Sequence, residues 1–306
     1  MKVAIFGAAG AIGRVLAAEL QARGDTVRAV GRRADALRGA APEAEIFTAD
    51  LADPGAARNA AAGMDAIVYC VGVPYDRFEL HPQLTRIALD AAREAGVREF
   101  ILISTVYPYG RPRTARVGED HPREPHTRKG RFRKEQQDLV LAAHDPNGLR
   151  TLVLVLPDFY GPGVETSFVT AVFAAARTGK IANVIGPLDT PHEFVFVPDV
   201  APVVAELLRR PDSFGTIYNL AGPGPITTRA FIAEVERASG RRLRRFVVGP
   251  VLLRFFGLFV PLLRELVEMH YLWTAPVLLD DAKLHRVLGA VRKTPYADGI
   301  RTSLTS

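Results

Sequence analysis

Short apolar runs rich in β-branched residues alternate with alanine-rich stretches through the first half of the chain. The short runs are typical of buried strands, and the longer stretches between them have helical periodicity. Strands are predicted at Val3–Phe6, Thr26–Val30, Glu45–Thr48, Ala66–Val71, Glu99–Ser104 and Thr151–Leu156. Helices are predicted between them, most clearly at Ala11–Ala22, Gln83–Ala95 and Thr127–Ala143. This alternation predicts an α/β protein with a doubly wound parallel sheet and helices on both faces.

The pattern changes after Leu156, where Pro and Gly become more frequent and the apolar runs become isolated. Two later strands are predicted at Phe194–Val197 and Thr216–Leu220. We therefore predict a sheet domain at residues 1–156, completed by about residues 193–220. Residues 157–192 and 221–306 are predicted to form a smaller region that covers a substrate.

The segment Phe246–Leu263 is 18 residues long and strongly apolar, so a membrane span has to be considered. Five residues that a spanning helix tolerates poorly interrupt it: Gly249, Pro250, Arg254, Gly257 and Pro261. We therefore expect no membrane span, and a buried or pocket-lining helical segment is favoured. An apolar substrate and a homodimer face are two further explanations that the sequence leaves open.

The composition is that of an ordinary globular protein, because 48% of the 306 residues are apolar and 24% are charged. The one cysteine, Cys70, lies in an apolar run, which favours a buried and unreactive thiol over a disulfide or a zinc site. A strand-like run begins at Met1 and leaves no room for a signal peptide. A cytoplasmic location is therefore expected.

The net charge of +6 is concentrated in one stretch, Arg111–Lys134, which holds nine basic and three acidic residues. A solvated loop and a site for phosphate-bearing small molecules both explain this stretch. Nucleic acid is not expected as a partner, because no nucleic-acid-binding motif accompanies the basic residues. A second basic cluster is predicted to be a solvated turn: Arg241, Arg242, Arg244 and Arg245.

A glycine-rich motif follows the first predicted strand directly and opens the first predicted helix. Glycines there allow a tight turn and close backbone approach to a pyrophosphate, while the helix N-terminus favours its negative charge. The motif therefore predicts a dinucleotide site that includes Gly7, Ala9, Gly10, Ala11, Ile12 and Gly13.

The Gly-x-x-Gly-x-x-Gly spacing resembles the short-chain dehydrogenase/reductase superfamily, in particular its extended and atypical branch of epimerases and dehydratases. The segment 156–162 (LPDFYGP) resembles the Tyr-Gly-Pro turn of that branch, whereas His81 stands where an asparagine is usual. The resemblance covers residues 1 to about 240 and implies a Rossmann-type domain. It also implies cofactor contacts at Asp50, Leu51, Val71, Gly72, Lys129 and Tyr160.

The residues after the second predicted strand bear on the choice of cofactor. NAD enzymes place a carboxylate there to bind the ribose 2′-hydroxyl, whereas this chain has Arg32 and Arg33. Two guanidinium groups suit a 2′-phosphate, so NADP(H) is predicted to be preferred over NAD(H). The alternative is that one or both arginines lie in solvent.

Reductases and epimerases of this superfamily use a Tyr-x-x-x-Lys pair, in which the lysine lowers the pKa of the tyrosine on the same helix face. None of the eight tyrosines here is followed by a lysine at that spacing. Aligned on Glu135, Thr127 takes the tyrosine position and Arg131 the lysine position. A shifted register makes Lys129 the amine but places Pro125 at the tyrosine position. The chain is therefore predicted to lack the pair.

Catalytic candidates remain at the end of the fifth predicted strand. Thr105 is predicted to hydrogen-bond a substrate oxygen, and Tyr107 or Tyr109 to supply a phenol. Unless Lys129 or Arg131 lowers the pKa of that phenol, the enzyme is expected to be slow at neutral pH. Each has a structural alternative, since the threonine could satisfy backbone groups and the tyrosines could pack in the core. The loop histidines His121 and His126 are further acid–base candidates.

Three functions fit these observations. The first is an NADP-dependent oxidoreductase or epimerase/dehydratase-like enzyme acting on a small carbonyl or hydroxyl substrate. The second is an NADP-binding sensor or regulator without redox turnover, and the third is a non-redox lyase or isomerase on the same fold. No metal-ligand spacing is present in the sequence, so no metal is expected. The apolar segment favours a compact apolar substrate over a nucleotide sugar.

Overall fold

The computed structural model describes residues 1–259 and 261–305. Its strands are β1 (Lys2–Phe6), β2 (Thr26–Gly31), β3 (Glu45–Thr48), β4 (Ala66–Tyr69), β5 (Glu99–Thr105), β6 (Arg150–Leu156), β7 (Asp158–Tyr160), β8 (Ala182–Ile185), β9 (Pro191–His192), β10 (Phe194–Phe196), β11 (Ile217–Asn219), β12 (Ile226–Thr227) and β13 (Arg245–Val248).

The helices are α1 (Ala11–Ala22), α2 (Ala34–Ala40), α3 (Pro54–Ala61), α4 (Leu80–Glu94), α5 (Arg128–Ala142), α6 (Thr170–Thr178), α7 (Val197–Leu207), α8 (Thr228–Ser239), α9 (Pro250–Gly257), α10 (Pro261–Met269), α11 (Tyr271–Thr274), α12 (Ala282–Leu288) and α13 (Tyr296–Thr305). Short 3₁₀ helices lie at Tyr107–Tyr109 and Pro211–Ser213.

A parallel central sheet organises the described part of the chain, with the strand order β11-β6-β5-β4-β1-β2-β3. The strand order reverses between β1 and β4, and sheets of this kind bind ligands at the carboxyl ends of the strands at such a point. The predicted α/β class and doubly wound sheet are confirmed. The bounds of the first six strands agree with the predicted ones to within two residues.

Side chains of the central strands alternate between two apolar cores, as the period of a strand requires. In β1, Ala4 and Phe6 face one core, and Val3 and Ile5 face the other. Helices α3, α4 and α5 cover the first core, while α1 and α7 pack together over the second. Burial on both faces explains why these strands read as continuous apolar runs in the sequence.

The later part of the chain builds small sheets beyond the carboxyl edge. Strand β7 pairs with β10, β9 with β12, and β8 with β13. The segment predicted to complete the central sheet, residues 193–220, divides: β10 joins β7, whereas β11 joins the central sheet beside β6. A third core gathers aromatic side chains from β7, α6, α8 and α13.

The apolar segment 246–263 contains β13, α9 and the beginning of α10, and within it Val260 lies outside the described residues. Helices α9 and α10 are only 8 and 9 residues long. In the two described ranges, no helix has both the length and the apolar character that a bilayer crossing requires.

Candidate active site

The loop between β1 and α1 is built around close backbone contacts. Gly7 has φ +93°, and a Cβ atom there would lie 2.8 Å from the carbonyl oxygen of Cys70, directly after β4. A Cβ atom on Gly13 would lie 2.6 Å from the Cα atom of Ala8. Both positions require glycine, the first for its conformation and both for the close approach.

Helix α1 presents its N-terminus at this loop. Its N-cap is Gly10, which has no side-chain oxygen to bond the first-turn amides. These amides lie at the positive end of the helix, where anions bind. Ala9 and Gly10 are exposed to solvent, so a ligand can reach the backbone. The loop therefore fits the pyrophosphate of a nicotinamide dinucleotide.

The side chains that follow β2 and β3 lie beyond this loop. Arg32 and Arg33 are exposed, and neither guanidinium bonds to any residue in the described ranges. Asp50 is exposed and accepts a hydrogen bond from the amide of Ala52, while Leu51 is buried. Both arginines are therefore available to a charged group at the carboxyl edge of β2.

A cavity of about 640 Å³ lies at the carboxyl ends of β4, β5 and β6. Ile12, Val71 and Gly72 line its end nearest the glycine loop. The ring planes of Phe168 and Trp273, whose centroids are 3.9 Å apart, stack in its wall. Its polar lining includes Tyr75, His81, Ser104, Thr105, Tyr107, Arg133, Asp158, His192 and Glu193.

Helix α5 directs two cationic side chains inward, one helical turn apart. Lys129 is 3% exposed and Arg133 is 5% exposed. Thr127 is the N-cap of α5, and Arg131 is exposed on another face of the helix. Alignment on Glu135 assigns Thr127 and Arg131 to the paired positions, but Arg131 does not lie on the inward face of α5. The geometry places Lys129 and Arg133 there.

Arg133 supplies a buried positive charge to the cavity. Its Nη1 donates to His81 Nδ1 at 3.0 Å, and its Nη2 donates to Ser104 Oγ at 3.5 Å. Burial lowers the pKa of Arg133 to about 10, which leaves it charged at neutral pH. Burial and the nearby guanidinium lower the pKa of His81 to about 2, so its ring is a neutral acceptor. No carboxylate in the described residues pairs with Arg133.

Lys129, in contrast, is occupied by structural contacts. Its Nζ donates to Glu265 and, at 3.1 Å, to Glu268, both on α10. The same ammonium lies 4.9 Å from the ring centroid of Tyr75 and 5.7 Å from that of Phe78. Lys129 therefore joins α5 to α10 beside the cavity, and it is not among the residues that line the cavity.

Tyr107 lies in the cavity wall immediately after β5. Its backbone amide donates to Thr105 Oγ1 at 3.4 Å, and its ring shares the cavity lining with Tyr75. Burial raises the pKa of Tyr107 to about 12, although the interactions with Tyr75 and with the charge of Arg133 act in the opposite direction. A Cβ atom on Gly130 would lie 2.9 Å from the Tyr107 carbonyl oxygen, so this glycine lets α5 approach closely.

Two predicted site residues, Tyr109 and Tyr160, lie outside the cavity lining. Tyr109 is 2% exposed, and its hydroxyl donates to Asn219 Oδ1 at 2.8 Å. Tyr160 packs in the third core, with its ring centroid 6.3 Å from that of Phe173. Its hydroxyl is buried without a hydrogen-bond partner in the described residues. Both phenols therefore pack within the protein, and Asp158 of the same turn faces the cavity instead.

Asp158 is a carboxyl group held in the cavity wall. It accepts hydrogen bonds from Ser167 Oγ at 3.0 Å and from the Phe168 amide at 2.8 Å. Burial outweighs these bonds and raises the pKa of Asp158 to about 6. Its charge also raises the pKa of Tyr107. A group that titrates near neutral pH therefore acts on the cavity phenol.

His192 and Glu193 close another part of the wall. Glu193 Oε2 accepts a hydrogen bond from the Leu279 amide at 2.9 Å. Burial lowers the pKa of His192 to about 4, which keeps it neutral. The loop histidines lie elsewhere: His121 Nε2 accepts from the Arg113 amide, and the ring of His126 packs on a tyrosine of α11.

The fold and the phosphate loop lead to a family. The model of the NAD dependent epimerase/dehydratase family matches residues 3–221. The chain belongs to this family. Membership in the NAD dependent epimerase/dehydratase family supports a nicotinamide cofactor and an oxidoreductase or epimerase/dehydratase activity.

Several known proteins resemble the chain over most of its length. It is 28% identical over 326 residues to the 4-hydroxy-2-methyl-3-oxo-4-farnesyl-3,4-dihydroquinoline-1-oxide ketoreductase of Stigmatella aurantiaca, covering 98% of this chain and 95% of that protein. It is 26% identical over 246 residues to the decarboxylating sterol-4-alpha-carboxylate 3-dehydrogenase of Homo sapiens, covering 76% of this chain and 65% of that protein.

Solved structures share the fold. MoeE5 in complex with UDP-glucose and NAD has a TM-score of 0.82 at 19% identity, covering 100% of this chain and 98% of that one. DesIV of Streptomyces venezuelae, a dTDP-glucose 4,6-dehydratase with NAD and TYD bound, has a TM-score of 0.80 at 21% identity, covering 100% and 96%.

Three residues of the cavity received no catalytic or binding role from the sequence: Tyr75, Arg133 and Asp158. Arg133 stands four residues after Lys129 and not after a tyrosine, so the Tyr-x-x-x-Lys pattern does not single it out. Asp158 lies in the segment that resembles the Tyr-Gly-Pro turn, and the resemblance implies a role for Tyr160 of that turn and none for Asp158. Tyr75 follows β4 in a loop with no pattern of its own.

Proposed function

We propose that the protein is an NADP(H)-dependent reductase that interconverts a ketone and a secondary alcohol on a compact apolar substrate. The observation that supports this most directly is the cavity, which combines apolar walls with a phenol and a buried cation next to the glycine loop. Reduction of a carbonyl needs a proton donor beside the reacting oxygen, and the phenol supplies one.

The substrate class is argued from the cavity wall. Phe78, Phe159, Phe168, Leu272 and Trp273 make most of its far side apolar. A nucleotide sugar would need partners for two phosphates and several hydroxyls, whereas an apolar ring system needs shape and a few polar anchors. The names of the ketoreductase and the sterol dehydrogenase that resemble this chain describe substrates with large apolar parts.

In this proposal the proton donor is Tyr107. Its pKa of about 12 keeps it protonated at neutral pH, so it acts as an acid toward a carbonyl rather than as a base toward an alcohol. Arg133 stabilises through space the negative charge that develops on the Tyr107 oxygen, and Tyr75 lines the same cavity. Arg133 thereby replaces the lysine of the family pair as a fixed cation.

The bound nicotinamide supplies the hydride in this chemistry. Ile12, Val71 and Gly72 form the cavity wall between the phosphate loop and Tyr107, so they would limit the position of the ring. The Thr105 hydroxyl lies beside the same tyrosine and would hydrogen-bond the substrate oxygen. Lys129 holds α10 in place beside the cavity through its carboxylate partners.

The preference for NADP(H) is part of the proposal. Arg32 and Arg33 follow β2, where a ribose 2′-phosphate would lie, and neither is engaged by another side chain of the described residues. Charge-assisted bonds to phosphate are the strongest hydrogen bonds that such groups form. Calorimetry should therefore show tighter binding of NADP(H) than of NAD(H).

A cofactor-binding protein without turnover is the second candidate. The observation that favours it is Lys129, because the inward position one turn before Arg133 carries an amine bound to carboxylates and not a phenol. In that case the cavity would bind a ligand whose effect is conformational.

Consumption of NADPH separates the two candidates. The purified protein is mixed with NADPH and a panel of apolar cyclic ketones, and with UDP- and dTDP-sugars as the alternative class. Turnover of a ketone supports the proposal. Turnover of nucleotide sugars alone contradicts the substrate class, and cofactor binding with no turnover across the panel favours the second candidate.

A further inference from the structure

A surface beside the cavity carries an unusual number of exposed apolar side chains. Among described residues, seven of the nine large apolar side chains that are exposed lie between residues 246 and 259. Val251 is 75% exposed, Leu258 67% and Phe259 72%. On the neighbouring strand β13, Phe246 is 48% exposed. We call the surface formed by α9 and the residues after it the apolar face, defined by Val251, Leu252, Phe255, Leu258 and Phe259. The ring centroids of Phe255 and Phe259 lie 5.6 Å apart within it.

Such a face calls for an occupant, because contiguous exposed apolar area marks an interaction site. The adjacent turn supplies the second observation. Arg242, Arg244 and Arg245 are exposed, and none of them pairs with a carboxylate in the described residues. One carboxylate lies at the turn, because Glu236 Oε1 accepts a hydrogen bond from the Leu243 amide at 2.7 Å. Glu265 and Glu268 of α10 are bound to Lys129. Three arginines against one carboxylate leave a net positive charge at the border of the apolar face.

We propose that the apolar face lies on an anionic lipid surface, with Val251, Leu258 and Phe259 in the interfacial region and the three arginines at the phosphates. Short amphipathic elements with basic borders bind membranes in this way. Helices of 8 and 9 residues lie on a bilayer and do not cross it. A second copy is a poorer occupant, because a two-fold interface would bring the arginine clusters close to each other.

Strand β13 directly precedes α9 and connects the apolar face to the cavity wall, so a lipid contact there would serve substrate entry. Strand β13 pairs with β8 in parallel, with Phe246 opposite Asn183 and Val248 opposite Ile185. Asn183 and Ile185 both line the cavity, as does Leu266 of α10. An apolar substrate dissolved in the bilayer would therefore meet the protein next to its cavity. This purpose rests on the proposed function, whereas the lipid contact itself does not.

Co-sedimentation of the full chain with vesicles tests the contact without any turnover. Vesicles of phosphatidylcholine with about 30% phosphatidylglycerol are compared with pure phosphatidylcholine vesicles, at low and high salt. We expect binding to the anionic vesicles that is at least about tenfold tighter than binding to the neutral ones and that weakens with salt.

Three variants sharpen this test. Leu258→Ser with Phe259→Ser should abolish binding to both kinds of vesicle. Replacing the three arginines of the turn with alanine should weaken anionic binding by roughly 100-fold, or about fivefold per arginine. The matched control replaces three exposed arginines of the sheet domain with alanine, namely Arg38, Arg58 and Arg93, and should bind like the unaltered protein. NADPH binding verifies that each variant is folded.

Three results would overturn the lipid contact. The first is no binding of the unaltered protein to anionic vesicles. The second is equal loss of binding in the control and in the turn variant, which would reflect net charge alone. The third is a dimer in solution that Leu258→Ser with Phe259→Ser abolishes while vesicles are ignored, because the second copy would then be the occupant. A protein that binds vesicles yet reduces no ketone would contradict the proposed function and leave this inference standing.

Discussion

The glycine loop and the inward face of α5 meet at the same cavity but depend on different parts of the chain. The loop is built from backbone: Gly7 and Gly13 are there because a Cβ atom would collide with neighbouring main chain. The α5 face is built from side chains, since Arg133 and Lys129 each find partners far away in sequence. A backbone site is encoded locally, whereas a side-chain site depends on the whole fold.

This difference explains why the cofactor end resembles a large superfamily while the catalytic end departs from it. The pyrophosphate is the same in every dinucleotide, so the loop that binds it keeps one backbone geometry. The glycine spacing in the sequence indicates that geometry. The proton donor has to match a substrate, and a phenol and a cation can reach one oxygen from several elements. In the proposed mechanism the phenol comes from the turn after β5 and the cation from α5.

Removing the phenol is expected to have the largest effect. Tyr107→Phe should lower kcat roughly 10²- to 10⁴-fold, because it deletes the proton donor, while leaving NADPH affinity unchanged. Tyr109→Phe is the matched control, since that hydroxyl bonds to Asn219 outside the cavity. Steady-state kinetics with the ketone found in the panel measures both. Equal losses in the two variants would mean that the catalytic end is not organised around Tyr107.

A side chain that fills the glycine loop is expected to weaken cofactor binding. Gly13→Val places atoms within 2.6–2.7 Å of the main chain of residues 7 and 8, so the loop must move. The Kd for NADPH should rise about 100-fold, which is the loss of two good hydrogen bonds to charged groups. Gly39→Ala is the control, because a Cβ atom there meets nothing within 4 Å. If both variants bind NADPH as tightly as the unaltered protein, the glycine loop does not bind the pyrophosphate.

Most of the fold could be predicted, because buried parallel strands give continuous apolar runs in the sequence. The cofactor loop could be predicted from the spacing of three glycines. The catalytic face could not. Thr127 and Arg131 match the family spacing in the sequence, yet Thr127 caps the helix and Arg131 is exposed, while Lys129 and Arg133 are buried. The burial of Tyr109 was equally hidden, because its partner Asn219 is 110 residues away in sequence.

The half-buried carboxyl of Asp158 allows a test of the electrostatics of the cavity. The pKa of Asp158 rises from 3.8 to about 6 on folding, so the folded protein holds its proton more tightly than the unfolded chain does. The contribution of Asp158 to the free energy of unfolding should therefore fall as the pH rises from about 4 to about 6, by up to roughly 3 kcal/mol.

Asp158→Asn removes the titration and keeps an oxygen that accepts from the Phe168 amide. Urea unfolding of both proteins at several pH values gives the difference. Stability of Asp158→Asn relative to the unaltered protein should increase over this pH range and level off above it. A difference that does not change with pH would show that Asp158 is solvated and not part of a dry cavity.

The smallest expected effect belongs to the one part of the cofactor end that is built from side chains. Arg32→Ala with Arg33→Ala should narrow the preference for NADPH over NADH by about tenfold, since exposed charge-assisted bonds are weakened by solvent and salt. NADH affinity should stay the same, because it has no 2′-phosphate. Arg38→Ala with Arg58→Ala, two exposed arginines paired with Asp35 and Glu94, is the charge-matched control. Calorimetric titration of both cofactors, repeated at high salt, measures the preference. If the double variant keeps the preference for NADPH, the 2′-phosphate binds elsewhere. If salt reduces the preference in the unaltered protein but not in the double variant, the 2′-phosphate binds at these two guanidinium groups.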